Sequence, residues 1–333
     1  MRIGLAYDLK EAITELPSSD DALEEYDSAE TVEFIAAALE AEGHSVVRLG
    51  GGRQFLLNIL PEHVDFVFNI AEGRGNYRSR EAQVPSVLEM LDIPYSGSGP
   101  QCLAICLDKP LTKKLVAMAG VLTPQWQVIT DKQELGQLAD GSFPFPAIVK
   151  PAYEGSSKGI RLSSVVDNPE QAIDAVERLL ENYRQPVMLE EFIVGDEVTV
   201  GIIGNFPPKV VGIMRILPKR KDGYFVYSLE VKRDYLNLVD YECPARLERK
   251  VLQNLELSSL STFKVLGCRD FARLDFRINA DGVPYFIEIN PLSGLGSYSD
   301  LVIMAKEVGQ THQELITGIL NAALERHPQC LGV

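Results

Sequence analysis

The chain has 333 residues, 46% of them hydrophobic, so it can form two or three domains with substantial cores, and long disordered stretches are not expected. The formal net charge is −15 and no basic run stands out, which argues against a nucleic-acid partner but not against ATP, which needs only a few local cations. No apolar stretch approaches the length of a membrane span and the N-terminus has no apolar signal core, so we expect a cytoplasmic protein with no membrane partner.

The first 108 residues alternate between strand and helix patterns. Residues 27–30 are typical of a capping box, in which Asp27 accepts from the amide of Glu30, and Gly43 is a suitable end for the helix that follows. No Gly-x-Gly-x-x-Gly follows the first strand, so a dinucleotide site has no support. This order predicts a parallel α/β domain. We expect strands at residues 2–7, 46–49, 64–68 and from 93 onward, and helices from about 30 to 43 and at 81–91.

Short strands and helices continue through the rest of the chain. Their mixture between residues 109 and 195 predicts a small α+β domain, and residues 196–333 are rich in strand patterns up to Asn290. We expect strands at 126–129, 147–150, 160–162, 187–192 and 198–203, and helices at 111–119, 169–183, 301–307 and 313–325.

Two short motifs near the C-terminus, Arg273-Leu-Asp275 and Glu288-Ile-Asn290, carry the strongest chemical signal. Residues two apart in a strand share a face, and the turn sequence at 279–282 between the motifs predicts a hairpin that brings them together. Two carboxylates and an amide oxygen suit Mg²⁺ or Mn²⁺. Taken alone, the four residues fit a surface hairpin with scattered charge equally well.

Lys150 ends a short apolar strand and precedes a turn rich in glycine and serine at residues 154–159. Backbone amides in such a turn can approach an anion closely, and the lysine adds a point charge for phosphate. The pattern is weaker than a Walker sequence, and on its own it fits a flexible hairpin loop better.

Glu190 and Glu197 flank the boundary between two predicted strands. A carboxylate at a strand end could accept from a ribose hydroxyl, and the neighbouring backbone could pair with a purine edge. Each residue considered singly is more often ordinary surface.

The chain has five cysteines, an odd number, without a Cys-x-x-Cys pair. Cys102 and Cys106 lie one helical turn apart in an apolar context, which favours buried free thiols over a metal or redox site.

The order and spacing of these motifs resemble the ATP-grasp enzymes, and specifically the D-alanine–D-alanine ligase family. The resemblance runs from about Val64 to the C-terminus, and its specificity lies in the ordered set rather than in any single motif. The matching segments are Pro94-Tyr-Ser-Gly-Ser-Gly99, Asp108-Lys109, Val149-Lys-Pro-x-x-Glu-Gly-Ser-Ser-x-Gly159, Leu189-Glu-Glu-Phe192, Asp270-x-x-Arg-Leu-Asp275 and Phe286-Ile-Glu-Ile-Asn290.

The resemblance implies an ATP-grasp architecture in three parts. A Rossmann-like parallel-sheet domain would cover residues 1–108, followed by a two-lobed ATP-binding module with a central lobe at 109–195 and a C-terminal lobe at 196–333 that carries the metal and acyl-transfer site. Family members are commonly dimers, so a homodimer is possible.

The resemblance also implies roles for individual residues in an ATP-dependent ligation through an acylphosphate. Arg273, Ser156 and Lys232 would be catalytic, with Arg273 stabilising the oxyanion of acyl transfer. Asp275, Glu288 and Asn290 would bind two Mg²⁺ ions, and Gly294 and Ser299 would hold the carboxylate of the second amino acid. The ATP-binding residues would be Lys109 and Lys150 at the phosphates, Ser156 and Ser157 in the loop above them, Glu190 near adenine, Glu197 at ribose, and Lys232 at the γ-phosphate.

The sequence departs from the family pattern where the first substrate is recognised. A glutamate expected after the first strand has no evident equivalent, and the acidic residues 20–30 in that region also fit a solvated loop. A family His-Gly reads Glu72-Gly73 here, and Arg233 replaces the tyrosine usual after the mobile-loop lysine. We therefore expect a changed donor pocket in which Arg74, Arg80 or Arg233 pairs with an extra substrate carboxylate, unless these arginines are simply surface residues.

Three alternatives remain open from the sequence. The chain could be a true cell-wall D-alanine–D-alanine ligase, a ligase for a small natural product, or, in a different class, an ATP-binding protein without turnover. The intact metal motif and Arg273 argue against the last, because a protein that only binds ATP has no use for an oxyanion-stabilising residue.

Overall fold

A computed structural model of the chain describes residues 1–13, 19–139, 141–220 and 223–331. Its strands form three sheets, which lie within residues 2–69, 126–191 and 196–290. Each sheet falls inside one of the three residue ranges expected from the sequence, although the division into domains stays a prediction.

The first sheet is parallel, as predicted, with the strand order β2-β1-β3. Ile3 and Leu5 point to one face and pack with α1, whereas Ala6 and Val67 pack with α2 and α3 on the other. Burial on both faces explains why β1 and β3 are largely apolar, whereas the edge strand β2 is partly exposed. The elements are β1 (Arg2–Ala6), α1 (Ala29–Ala41), β2 (Ser45–Gly50), α2 (Gly52–Ile59), β3 (Phe66–Asn69), α3 (Gln83–Met90) and α4 (Pro100–Leu107).

Several local predictions in this region were wrong. The N-cap of α1 is Ser28, whose side chain accepts from the amide of Thr31 at 3.2 Å, so Asp27 is not the cap. The expected strand from residue 93 is a single bridge between Val67 and Tyr95, and the expected helix at 81–91 begins with a 3₁₀ turn before α3. Helices α2 and α4 were not predicted.

The second sheet is antiparallel, with the order β4-β7-β5-β6. The apolar face of α6 packs against it through Ala172, Val176 and Leu179. The expected strand at 160–162 is wrong, because the chain forms a 3₁₀ turn at 162–164 and pairs only at Val165–Val166. The elements are α5 (Lys109–Met118), β4 (Trp126–Ile129), β5 (Ala147–Pro151), β6 (Val165–Val166), α6 (Pro169–Tyr183) and β7 (Val187–Glu191).

The third sheet is antiparallel, with the order β10-β9-β8-β11-β12. Its β11–β12 hairpin is the one predicted from the turn at 279–282, whereas helix α9 was missed. The elements are β8 (Asp196–Ile203), β9 (Lys209–Pro218), α7 (Leu229–Arg233), α8 (Tyr235–Leu238), β10 (Val239–Glu242), α9 (Arg249–Val265), β11 (Phe271–Ile278), β12 (Pro284–Asn290), α10 (Asp300–Glu307) and α11 (His312–Leu324).

The two C-terminal helices, α10 and α11, pack against the N-terminal part of the chain. Leu301 of α10 and Leu315 of α11 belong to the same buried cluster as Ile3, Leu5 and Ile35 of the first sheet and α1. Helices α10 and α11 thus complete the core of the N-terminal sheet, even though they lie at the far end of the sequence.

All five cysteines are free thiols, as expected. Cys102, Cys106 and Cys268 are buried next to one another, and the Sγ of Cys102 lies 3.5 Å from that of Cys268 and 3.8 Å from that of Cys106. Among the described residues, no helix has both the length and the apolar character needed to cross a membrane.

Candidate active site

The β11–β12 hairpin brings the two predicted motifs together. The strand register pairs Arg273 with Asn290 and Asp275 with Glu288. Arg273 donates from Nε and Nη2 to the two carboxylate oxygens of Asp275, at 3.1 and 2.8 Å. On the neighbouring β8, the Thr199 hydroxyl donates to Asp275 Oδ1 at 2.7 Å. The four predicted residues therefore form one polar patch on the third sheet.

Two cavities lie beside this patch. The larger has a volume of about 530 Å³ and the smaller a volume of about 70 Å³. Glu288, Lys232 and Tyr227 line both, so the two cavities adjoin. A polar cleft of this size is in the range of small-molecule sites.

Glu288 lies where the cavities meet and stays ionised. Burial alone would raise its pKa, but the nearby cations Lys109, Lys150, Lys232 and Arg273 outweigh burial and lower the pKa to about 2. Lys109 Nζ is 3.5 Å from Glu288 Oε2 and also donates to the backbone carbonyl of Glu154. Glu288 is therefore a permanent carboxylate surrounded by positive charge.

Lys150 and Glu190 line the smaller cavity and are paired in the structure. Lys150 Nζ donates to Glu190 Oε1 at 2.9 Å, and Lys113 Nζ lies 2.6 Å from Glu190 Oε2. Burial opposes ionisation of Glu190, but the two lysines outweigh it and lower its pKa. No sequence motif pointed to Lys113. It lies four residues after Lys109 on α5, and this helical spacing was the only available signal.

Glu197 also lines the smaller cavity, where Arg277 accompanies it. Arg277 Nη1 donates to Glu197 Oε2 at 2.8 Å, while burial still raises the pKa of Glu197. The Arg277 guanidinium stacks on the Phe192 ring, 4.3 Å from its centre. Apolar side chains that can cover a flat ring line the same cavity: Ile148, Ile160, Phe192, Val226 and Phe276.

The glycine- and serine-rich loop separates the cavities. Ser156 lines the larger and Ser157 the smaller. Both serines have left-handed backbone conformations, with φ of 49° and 59°, which are uncommon outside glycine and concentrate at functional sites. Ser157 Oγ donates to the carbonyl of Tyr227 at 3.2 Å, which ties the loop to the segment before α7.

Lys232 and Arg273 both face the larger cavity. Lys232 Nζ lies 5.2 Å from the centre of the Tyr227 ring. Arg273 Nη1 is 3.3 Å from Asp300 Oδ2, and the hydroxyl of Tyr227 donates to Asp300 Oδ1 at 3.0 Å. Asp300 was not predicted, although it fixes Arg273 from the side opposite Asp275.

The remaining predicted substrate residues divide into two groups. Glu72, Arg233, Gly294 and Ser299 line the larger cavity, and Ser299 is also the N-cap residue of α10. Arg74 and Arg80 are not among its lining residues.

Arg74 and Arg80 are engaged inside the protein. Arg74 Nε lies 2.8 Å from Asp8 Oδ1. Arg80 Nη2 donates to Glu25 Oε2 at 2.7 Å and to Glu154 Oε2 at 3.2 Å. Carboxylates of the chain therefore already pair with both arginines. Their expected pairing with a substrate carboxylate stays a prediction.

The acidic segment at residues 19–27 is docked, contrary to the solvated-loop interpretation. Asp21 accepts from the amide of Gly159 at 2.9 Å and from the Tyr183 hydroxyl at 2.6 Å. Glu25 accepts from Lys158 at 2.6 Å in addition to its pair with Arg80. Sequence reasoning missed these contacts because the partners lie more than 50 residues away.

Comparisons with known proteins agree with this geometry. Residues 115–321 match the family described as D-ala D-ala ligase C-terminus. The D-alanine–D-alanine ligase of Aquifex aeolicus is 32% identical over 88% of this chain and 94% of that protein. An uncharacterised protein of Sinorhizobium fredii is 33% identical over 88% of this chain and 87% of its own length.

The fold has been seen in crystals. The D-alanine–D-alanine ligase of Bacillus anthracis, solved in complex with ATP, superposes with a TM-score of 0.75 at 26% identity over 99% of both chains. The family match covers more than half of the chain, and the Aquifex relative shares about a third of its residues over most of both proteins. The chain therefore belongs to the D-alanine–D-alanine ligase family of ATP-grasp enzymes, which use ATP to form C–N bonds.

Proposed function

We propose that the enzyme joins the carboxylate of one amino acid to the amine of a second through an acylphosphate, with a donor pocket that differs from that of D-alanine–D-alanine ligases. One observation carries the proposal. The carboxylate Glu288 lies where the two cavities meet, among four cations: Lys109, Lys150, Lys232 and the proposed oxyanion residue Arg273.

The chemistry follows from the charges at this junction. A donor carboxylate attacks the γ-phosphorus of ATP, and ADP leaves with the electrons of the broken P–O bond. The amine then attacks the acyl carbon, phosphate leaves, and the amine loses a proton. Lys109, Lys150 and Lys232 offset the phosphate charge, and Arg273 stabilises the tetrahedral oxyanion.

Other residues of the chain position these groups. Asp275 and Asp300 hold the Arg273 guanidinium from two sides, so its direction is set before substrate binds. The Gly/Ser loop and α7 cover the junction and exclude water that would hydrolyse an acylphosphate. The apolar wall of the smaller cavity, with Glu190 and Glu197, suits adenine and ribose.

Asp275, Glu288 and Asn290 would hold Mg²⁺. Their oxygen atoms are hard donors, they occupy facing positions of one hairpin, and the depressed pKa of Glu288 keeps it charged, so the donor set fits. Bound there, Mg²⁺ neutralises charge on the phosphates of ATP.

A screen of amino-acid pairs for ADP release tests the proposal. We expect ADP only when Mg²⁺, ATP, a donor and an amine are all present, and a product whose mass equals the two substrates less one water. Glu288→Gln removes the charge at the junction while keeping its shape and should lower turnover at least about a hundredfold. ATP binding without any pair-dependent ADP would instead indicate a protein that binds ATP without turnover.

The names of the relatives favour a second candidate, a true D-alanine–D-alanine ligase. Exclusive use of D-alanine in both positions would establish that activity and overturn the changed donor pocket.

A further inference from the structure

Three carboxylates on one wall of the larger cavity have no partner. Asp27, Glu72 and Glu81 all line this cavity, and within the described part of the chain none of their side chains makes a hydrogen bond or an ion pair. Glu81 is the most enclosed, with 8% of its surface exposed. A carboxylate that is more than nine-tenths buried and opens only to a cavity indicates a ligand that supplies the missing donors. These three residues are called the acidic wall below.

Two cations in the same region as the acidic wall are already paired with other carboxylates. Arg80 and Lys158 are both paired with Glu25, and both are also paired with Glu154. Two cations are thus matched by two carboxylates, and the acidic wall adds three more. Among the described residues these three have no direct cationic partner, and Arg80, Lys109 and Lys10 act on them only at longer range, where burial outweighs their effect. The excess charge faces the cavity rather than the protein interior.

The pKa values of the three wall carboxylates agree with this excess of negative charge. Burial, followed by repulsion from Glu81, Glu25 and Asp27, raises the pKa of Glu72 well above its usual value. Burial also raises the pKa of Asp27 and of Glu81 to about 7. Raised pKa values of this kind are expected for buried carboxylates that have no cation paired directly with them.

The larger cavity is lined by opposite charges that come from different parts of the chain. The acidic wall comes from the N-terminal range, where Glu72 follows the carboxyl end of β3, an edge at which parallel sheets place their ligands. Lys109, Lys232 and Arg273 line the same cavity from the ATP-binding parts. A molecule that carries both a carboxylate and positive charge matches these two groups of residues.

We propose, building on the ligase function above, that the donor substrate is an amino acid with a second cationic group, and that Asp27, Glu72 and Glu81 bind its positive charges. A single α-ammonium group would leave most of the wall unneutralised. The substrate charge is thus opposite in sign to the extra carboxylate expected from the arginines in the sequence.

An extended organic cation fits the wall better than a metal ion. Among the described residues, only Cys102, Cys106 and Cys268 bring three acidic, histidine or cysteine ligand atoms within 4.8 Å of one another. The wall carboxylates are therefore too far apart to close around one ion, whereas several N–H donors on a flexible chain can reach them separately.

The test compares donors that differ only in charge. Lysine, ornithine and arginine are paired with their neutral counterparts norleucine, norvaline and citrulline, and with glutamate, in both chiralities. Binding to the ATP-loaded enzyme is measured by calorimetry, and turnover by ADP release. Mass-spectrometric fragmentation of the product identifies the residue that supplied the carboxylate. We expect the basic donors to exceed their neutral counterparts by about tenfold or more in kcat/KM.

Glu72→Gln and Glu81→Gln test the wall itself, with Glu256→Gln on the exposed face of α9 as the matched control. Each wall variant should lower the ratio of basic to neutral donor kcat/KM about tenfold, while the control leaves this ratio unchanged. Asp27→Asn provides a third variant should either glutamine variant fold poorly.

The possible outcomes separate this inference from the proposed function. Ligation with equal or better use of neutral or acidic donors overturns the inference and leaves the ligase function standing. Preferential binding of basic amino acids without ADP release supports the inference and counts against the ligase function. Tight binding of Mg²⁺ that is lost in Glu81→Gln would overturn the inference in favour of a metal site.

Discussion

At the residue scale, the buried carboxylate of Glu81, which we propose binds the substrate, lowers the free energy of unfolding of the unliganded protein when it is ionised. Its pKa is raised mainly by burial, with Glu25 adding repulsion, and reaches about 7. A carboxyl whose pKa is higher in the folded than in the unfolded state favours the native state below its unfolded pKa. That advantage is lost as the pH rises through the folded pKa.

Glu81→Gln should therefore stabilise the unliganded protein, because glutamine keeps the shape and cannot ionise. We expect a gain of roughly 2–3 kcal/mol at pH 8, shrinking to almost nothing near pH 4.5, in urea unfolding followed by circular dichroism. Glu256→Gln should show no such dependence. A stability difference that stays constant from pH 4.5 to 8 would contradict the assigned environment of Glu81.

The sequence was sufficient to predict site residues whose relative positions follow from their spacing along the chain. Arg273, Asp275, Glu288 and Asn290 were found because alternation along a strand and a good turn determine which side chains meet. Glu25 and Asp27 could not be found in this way. Their surroundings depend on Arg80, Lys158 and the cavity, and no local period links residues so far apart.

At the element scale, buried ion pairs connect helix α5 to the second sheet. Lys113 on α5 and Lys150 on β5 both contact Glu190 on β7, and the three side chains are 0%, 2% and 1% exposed. The pattern contrasts with the other face of this sheet, where α6 packs through apolar residues.

Glu190→Gln should destabilise the protein in the absence of ATP, because two buried ammonium groups lose their only carboxylate of this cluster. Removing one partner of a buried ion pair costs roughly 3–5 kcal/mol, measurable by urea unfolding. The control is Glu177→Gln on the surface of α6, which pairs with the exposed Lys132 and should leave the unfolding midpoint nearly unchanged. Equal effects of the two substitutions would refute the structural role of Glu190.

The bounds of helices and strands were predicted well where the apolar residues recur at a regular spacing. They were predicted poorly where two residues could play the same role or where the apolar pattern was weak. The patterns of β4 and α6 gave bounds that match the structure. Two adjacent residues, Asp27 and Ser28, can both cap a helix, and Ser28 caps α1. The backbone of Asp27 is instead hydrogen-bonded to that of Asp8 and Lys10, a long-range pairing that no local pattern indicates. Helix α9 was missed because polar residues fill most of its surface, leaving only a narrow apolar stripe through Val251, Leu255 and Phe263.

At the scale of the whole molecule, the acidic segment acts as a strap between the three parts of the chain. Asp21 binds the Gly/Ser loop through the amide of Gly159 and the side chain of Arg161. On the other side of the cavity, Arg233 of α7 donates to Glu24 at 2.6 Å. The loop and α7, which we propose cover the junction of the two cavities, are thus both held by residues 20–25 of the N-terminal range.

Asp21→Ala should loosen this strap selectively. Losing the carboxylate leaves the Gly159 amide and the Tyr183 hydroxyl without their acceptor, so hydrogen exchange should accelerate at residues 19–27 and 155–161. Exchange in β8 and β11 should stay as in the parent protein, because among the described residues no hydrogen bond or ion pair joins either strand to residues 19–27. Since Asp27 belongs to the acidic wall, KM for the donor should rise several-fold while KM for ATP changes less. Uniformly faster exchange over the chain, or the same response in a Glu256→Ala control, would show that the segment is only part of the general fold and not a strap across the active site.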